Sequence, residues 1–184
     1  MQAELISIKG TWRDVADCAN TTIHKSEGID EPSSQWKKRM LLCEHSPIRE
    51  LVFDFKWTEL RYWVSVHFVR HKIGVEHYVR SQRSDRTGID RDKLTQESLV
   101  EHRISLNAQA LINISRKRLC CNASKETREA WVSILDTIKE KEKELYSVCV
   151  PDCVYRGFCY EFKSCGFYES KKYKEMVDNY RKVF

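Results

Sequence analysis

Between Leu51 and His71 the hydrophobic period changes once, and no single type of secondary structure accommodates both halves. Leu51, Phe53, Phe55 and Trp57 alternate with Val52, Asp54 and Lys56, the period of two of a half-buried strand. Leu60, Trp63, Val64, His67, Phe68 and His71 then recur at helical spacing, a stripe along one side of a helix in which two of six members are His. Thr58 offers that helix an N-cap, and Glu59 puts an acid in its first turn. A strand and a helix joined this closely must share a core, so the chain reads as mixed α and β.

The remaining elements follow the same logic. Residues 3–9 alternate weakly and stop at Gly10, a short strand, and residues 12–20 read as a short helix. The polar stretch 21–34, with Gly28 and Pro32, reads as a loop, after which Ser33 or Ser34 caps a helix through Met40 and Leu42. Residues 72–104 are polar, rich in Arg and without clear period, and are expected to form an extended segment and a loop. Ser105 is expected to cap a helix over 106–119. A further helix at about 124–146 carries Trp131, Ile134, Leu135, Ile138 and Leu145 on one face, with KEKEKE as its solvated side. The last residues, ESKKYKEMVDNYRKVF, read as a charged helical tail. No internal repeat or low-complexity block is present.

At 184 residues one domain is expected, and scarce Pro and Gly with 11% aromatics exclude bulk disorder. No apolar run approaches the roughly 20 residues needed to cross a bilayer, so no membrane partner is expected. The opening MQAELISIKG lacks a basic start followed by a long apolar stretch and does not read as a secretory signal. Together with eight Cys, this leads to the expectation of a reducing, cytoplasmic setting, with thiols free or on metal. The formal charge of +5 is a mild excess, suited to small phosphorylated anions more than to coating nucleic acid.

Three constellations could carry chemistry. In the first, Arg70 and Lys72 flank His71 at a helix end, and Arg80, Arg83 and Arg86 follow in a polar segment beside Ser81 and Gln82. Forked guanidinium donors suit a phosphate and a planar base edge; a cationic helix end and a plain charged surface read equally well. His71 is either a satisfied core residue or a neutral imidazole, kept so by its two cationic neighbours, that faces a heteroaromatic ring or a metal. In the second, Asn107 and Arg118 share a helical stripe with Leu111 and Ile114, and Asn113 lies nearby; if buried, these polar groups need partners. In the third, CEHSPIRE (43–50), Pro47 forces a turn before the strand, and by itself this reads as a helix-ending loop. In the tail, Cys153, Cys159 and Cys165 are evenly spaced. With Cys149 or Cys121 they could bind zinc, or all could be reduced structural thiols.

Taken in order, His45-Ser46-Pro47 before a strand, a helix ending VRHK (69–72), Ser81-Gln82-Arg83 and LNAQALINISRKRLC (106–120) followed by ASKETRE (123–129) resemble the flavin-dependent thymidylate synthase family over roughly residues 15–135. That resemblance implies an α+β fold, an antiparallel sheet with long helices, assembled as a homotetramer with active sites where subunits meet. It implies FAD, NADPH and methylenetetrahydrofolate as cofactors, and methylation of dUMP at C5 to give dTMP without a Cys nucleophile. Residues 1–148 would form the catalytic domain that binds flavin and nucleotide, and 149–184 its Cys-containing tail. Carried over by residue, Arg118 holds and activates the pyrimidine, and His45 lies near the flavin and folate. Ser46, Arg70, His71, Lys72, Asn107, Gln109 and Asn113 contact the flavin, and His67, Ser81 and Arg83 the nucleotide. Lys72 and Gln109 stand where the family has Arg. The family's Asn-Glu pair before the Ser is absent, since this chain reads GVEHYVRSQR, and the insert before Asn107 is shortened. These departures keep two alternatives open: a related flavoenzyme with altered C5 chemistry such as hydroxymethylation, and a non-catalytic nucleotide- or nucleic-acid-binding module.

Overall fold

A computed structural model describes residues 1–24 and 30–182. The expected loop position Gly28 lies outside the described residues. The chain runs β1 (Gln2–Lys9), α1 (Trp12–Thr21), α2 (Ser34–Leu42), a 3₁₀ turn (Ser46–Glu50), β2 (Val52–Arg61) and α3 (Tyr62–Phe68). It continues with β3 (Val75–Val79), α4 (Ser84–Thr87), β4 (Leu99–Asn107), α5 (Ala108–Arg118), α6 (Lys125–Ile138), α7 (Lys143–Val148), α8 (Asp152–Arg156) and α9 (Lys171–Arg181). The four strands form one antiparallel sheet in the order β1-β2-β4-β3. No helix among the described residues is long and apolar enough to cross a membrane.

Helices cover one face of the sheet. Phe53, Phe55, Trp57, Ile104 and Leu106 point from the strands into a cluster with Phe68, Leu111, Trp131 and Ile134. Trp57 stacks on Phe68 at 4.8 Å and 3° between planes, and its Nε1–H donates to Ala130 O at 2.9 Å. Val154, Tyr173 and Tyr180 from the tail are buried in the same cluster. On the other face Asp54 is nearly fully buried among Ser7, Lys9 and Arg103. Burial raises its pKa, but hydrogen bonds from Ser105, Lys9, Ser7 and Arg103 reverse this and hold the carboxyl well below its ordinary range.

Several boundaries differ from the sequence reading. Thr58 and Glu59 do not open a helix. After an irregularity between Trp57 and Leu60, with Glu59 at φ 55°, β2 resumes its pairing at Leu60↔Val100 and Arg61↔Leu99. Cross-strand pairing thus outcompetes a local cap. Helix α3 starts at Tyr62, where Tyr62 N–H and Trp63 N–H are taken by Ser98 O and Gln96 O. It ends at Phe68, so His71 sits beyond it. The extended segment expected within 72–104 resolves into two paired strands, β3 and most of β4, with the loop between them. Ser105 belongs to β4 and bonds Asp54, and the cap of α5 is Asn107, whose Oδ1 accepts from Ala110 N–H at 2.9 Å. The helix expected at 124–146 breaks at 139–142. Glu142 is not part of a solvated face but accepts from Trp12 Nε1–H at 2.9 Å.

Gly10, between β1 and α1, has φ 76°, and a Cβ there would lie 2.2 Å from Glu50 O. Gly10→Ala combines an unfavourable backbone conformation with a clash against backbone. It is expected to destabilise the fold by about 1–3 kcal/mol, read as a lower urea midpoint at unchanged slope.

Candidate active site

The ends of α3 and α5 bring three of the expected residues together. Arg118, the last residue of α5, donates from Nε to His71 Nε2 at 2.9 Å and from Nη2 to His67 O at 2.5 Å. Because an Arg cannot accept, His71 Nε2 carries a lone pair, and the neutral ring holds its proton on Nδ1. Burial, then Arg118 and His77, push the His71 pKa down to about 4. Burial, Arg118 and Arg70 likewise lower His67, whose Nδ1 lies 3.4 Å from Thr127 Oγ1. Two neutral imidazoles thus stand beside a guanidinium that cannot be titrated away at neutral pH. Such a group can orient an anionic or strongly polarised ligand without itself moving a proton.

His71 is also held from behind. His77 Nε2 lies 2.8 Å from the His71 carbonyl, and His77 Nδ1 lies 3.0 Å from His102 Nε2. A carbonyl only accepts, so His77 carries its proton on Nε2. Where His77 Nδ1 accepts, His102 donates from Nε2. That leaves His102 Nδ1 as a buried lone pair without a partner. His102 is fully buried against Trp57 and Phe68, and burial followed by His77 pushes its pKa down to about 3.

In the unfolded chain these imidazoles take up protons below about pH 6.5, whereas in the fold they do not until about 4 and 3. Stability is therefore lost as pH falls through that window, at up to about 1.4 kcal/mol per pH unit for each ring. Ring resonances of His71 and His102 are expected to keep their neutral positions from pH 7 to 5 in an NMR titration. A midpoint near 6.5 for either would contradict its neutral burial.

A separate cleft of about 570 Å³ opens at the N-terminal end of α5, lined on its other side by Ile73 and Gly74, and no residue of the cluster lines it. Glu44, Arg49, Gly74, Asn107, Gln109 and Asn113 line it. The sequence reading anticipated its three amides. Asn107 gives its oxygen to the α5 cap. Its Nδ2 abuts Gly74, where a Cβ would come within 2.7 Å. Gln109 Nε2 donates to Glu44 at 2.6 Å, and Arg116 ion-pairs with the same carboxylate while its Cζ lies 3.4 Å over the Tyr155 ring. Burial raises the Glu44 pKa, but the hydrogen bonds from Arg116 and Gln109 outweigh it and hold the carboxyl below its usual range. Among the described residues Arg49, Arg70 and Lys72 have no carboxylate partner, leaving three free cations around the cluster and the cleft.

Other expected site residues are not gathered here. His45 and Ser46 are exposed at the start of the 3₁₀ turn that follows Glu44. Ser81 and Arg83 lie past β3, where Ser81 Oγ accepts from Arg83 N–H at 3.2 Å and Arg83 pairs twice with Asp85. Within one chain the hydrogen bonds of these two side chains stay inside 81–85. The zinc expectation is not met, since no group of three or more candidate ligands among the described residues is arranged to hold a metal. The sequence reading missed Glu44, His77 and His102. The signal for His102 was the alternation Val100, His102, Ile104, Leu106, whose inward members are all buried.

No family model matches the sequence, and no curated protein matches it. Solved structures do. Two crystal structures of the flavin-dependent thymidylate synthase ThyX from Helicobacter pylori, each with FAD and dUMP, match with TM-score 0.69. They share 15% and 14% identity over 82% of this chain and cover 100% and 99% of theirs. At that identity the likeness speaks for architecture alone. The α+β antiparallel arrangement expected from the sequence is present, and the chain has the fold of flavin-dependent thymidylate synthases.

Proposed function

We propose that this chain is a flavin-dependent enzyme that methylates a uracil nucleotide at C5, converting dUMP to dTMP with methylenetetrahydrofolate as carbon donor and NADPH as reductant. The observation that carries the reading is the clamp of Arg118 on His71 and His67 at the C-terminal end of α5, with an amide-lined cleft at the N-terminal end of the same helix. The donor set suits FAD: free amide hydrogens at Asn107 and Asn113 for a ring edge, and Arg49, Arg70 and Lys72 for phosphates. Gly74 keeps the wall open where any side chain would meet Asn107. Bound flavin would relay hydride from NADPH to the methylene carried onto C5.

In this reading Arg118 fixes the pyrimidine by hydrogen bonding and charge, and neutral His71 and His67 present ring faces and edges without adding positive charge beside it. His45 and Ser46, which follow the cleft residue Glu44 but do not line the cleft, would serve the folate side only from their exposed turn. Ser81 and Arg83 lie apart from Arg118 in a single chain, which favours a homotetramer whose neighbouring copy supplies them to the nucleotide. Residues 1–148 would then carry the catalysis, the tail bracing α5, and the neutral-pH chemistry suits a cytoplasmic setting.

The test is a visible spectrum of the purified protein followed by product mass. Flavin absorbance near one per chain and a methyl gain on dUMP would support the proposal. Colourless protein that FAD cannot reconstitute would overturn it. A hydroxymethyl product would move the assignment to altered C5 chemistry, and salt-sensitive oligonucleotide binding without flavin to a binding module.

A further inference from the structure

Five of the eight cysteines line one small cavity away from that cleft: Cys120 and Cys121 just after α5, Cys153 in α8, and Cys159 and Cys165 between α8 and α9. The cavity is about 20 Å³, room for a single water. The two walls are fastened together. Asn122 Nδ2–H donates to Lys163 O at 2.8 Å, and each residue of that bond lies two positions from a cavity cysteine, Cys120 on one side and Cys165 on the other. Cys165 is exposed and Cys120 is half-buried. Burial, with Glu161, Cys165 and Cys121 adding negative charge nearby, pushes the Cys120 thiol up, and burial beside Cys120 and Cys159 pushes Cys153 up to about 11. These are protonated thiols, and among the described residues none of them belongs to a metal-holding group.

We propose that Cys165 and Cys120 form a site of reversible oxidative modification, in which a hydroperoxide converts the two thiols to a disulfide. Cys121 and Cys165 are both exposed, but only Cys165 belongs to the tail wall of the cavity and lies near Cys120 from outside its own turn, which makes it the sulfur that meets the oxidant. Its thiolate attacks the peroxide O–O bond, giving Cys165 sulfenic acid and hydroxide (or the alkoxide of an organic peroxide). Cys120 then attacks the Cys165 sulfur. The S–S bond forms, the S–O bond breaks, and the Cys120 proton leaves with the oxygen as water. Overall two thiols lose two electrons and two protons, and the peroxide is reduced. The segment that must move is irregular between Gly157 and Gly166, and the Asn122–Lys163 bond already sets its docking point. The bridge ties the tail to the turn directly after Arg118. The inference does not depend on the flavin reading.

The experiment treats the full-length protein with hydrogen peroxide and maps its peptides with and without dithiothreitol. The expected result is one linked pair joining the Cys120 and Cys165 peptides, with loss of two hydrogens from the intact mass and a higher Tm that dithiothreitol reverses. Cys165→Ser and Cys120→Ser each abolish the link. Cys121→Ser and Cys43→Ser, the latter at an exposed thiol near α2, retain it. Absence of a linked peptide in the unmodified chain overturns the proposal. So does a link that survives Cys120→Ser, or thiols that react only after a chelator removes a bound ion.

Discussion

Trp57→Ala is expected to cost about 3–5 kcal/mol, enough to unfold a domain of ordinary stability at moderate temperature. Trp57 is fully buried at the centre of the sheet and touches each neighbouring layer. It pairs with His102 across the β2–β4 ladder, stacks on Phe68 from α3 and donates to Ala130 O on α6. Truncation removes a large apolar area, opens a cavity that rigid strands cannot close, and withdraws the indole donor from Ala130 O. Trp57→Phe keeps much of the stacking and loses the hydrogen bond, so it is expected to cost less than half as much. Urea unfolding of both variants checks the ranking. A Trp57→Ala cost under about 1 kcal/mol would remove Trp57 from the role of central packing residue.

Under the proposed function, Arg118→Ala is expected to lower turnover of dUMP by at least about 100-fold while leaving the fold intact. Its guanidinium reaches two acceptors at once, His71 Nε2 and His67 O, and so fixes the relative position of α3's end and α5's end. Both acceptors are partly solvated, and water can replace the lost donors, so the stability cost is expected to stay within about 1–3 kcal/mol. Arg118→Lys tests the geometry: a point ammonium cannot span both acceptors in the plane of a fork, and activity is expected to remain well below that of the parent. Circular dichroism and turnover measured together decide the matter. A melted Arg118→Ala chain would reassign the residue to structure, and full activity in Arg118→Lys would remove the bidentate requirement.

Local chemistry carried some assignments and failed at others for identifiable reasons. The inward positions of β2, the cap at Ser33, and the amphipathic faces of α5 and α6 follow from spacing, whereas the α5 cap fell on Asn107 and not on the expected Ser105. The start of α3 does not, because Thr58 pairs with Gln2 on β1 and the residues after Glu59, Leu60 and Arg61, pair with Val100 and Leu99 on β4, so the strand runs on past the expected cap. Strand β4 was obscured because its outward members Glu101 and Arg103 are charged and one inward member is His102, which scores as polar yet packs on Trp57 and Phe68. Glu44 looked like a loop acid. Only the approach of α5 gives it Gln109 and Arg116.

By itself the sequence determined the periods, the caps and which residue types are available: one alternating run, several apolar stripes, and cations set at helix ends. These are short-range properties, fixed by residue spacing along one element. Tertiary structure alone decided that Arg118 meets His71 and His67, that His77 and His102 brace the same turn, and that five thiols share one cavity. Those meetings depend on strand order and helix docking, where contacts separated by tens of residues are selected by burial of the whole core and leave no periodic trace in the chain.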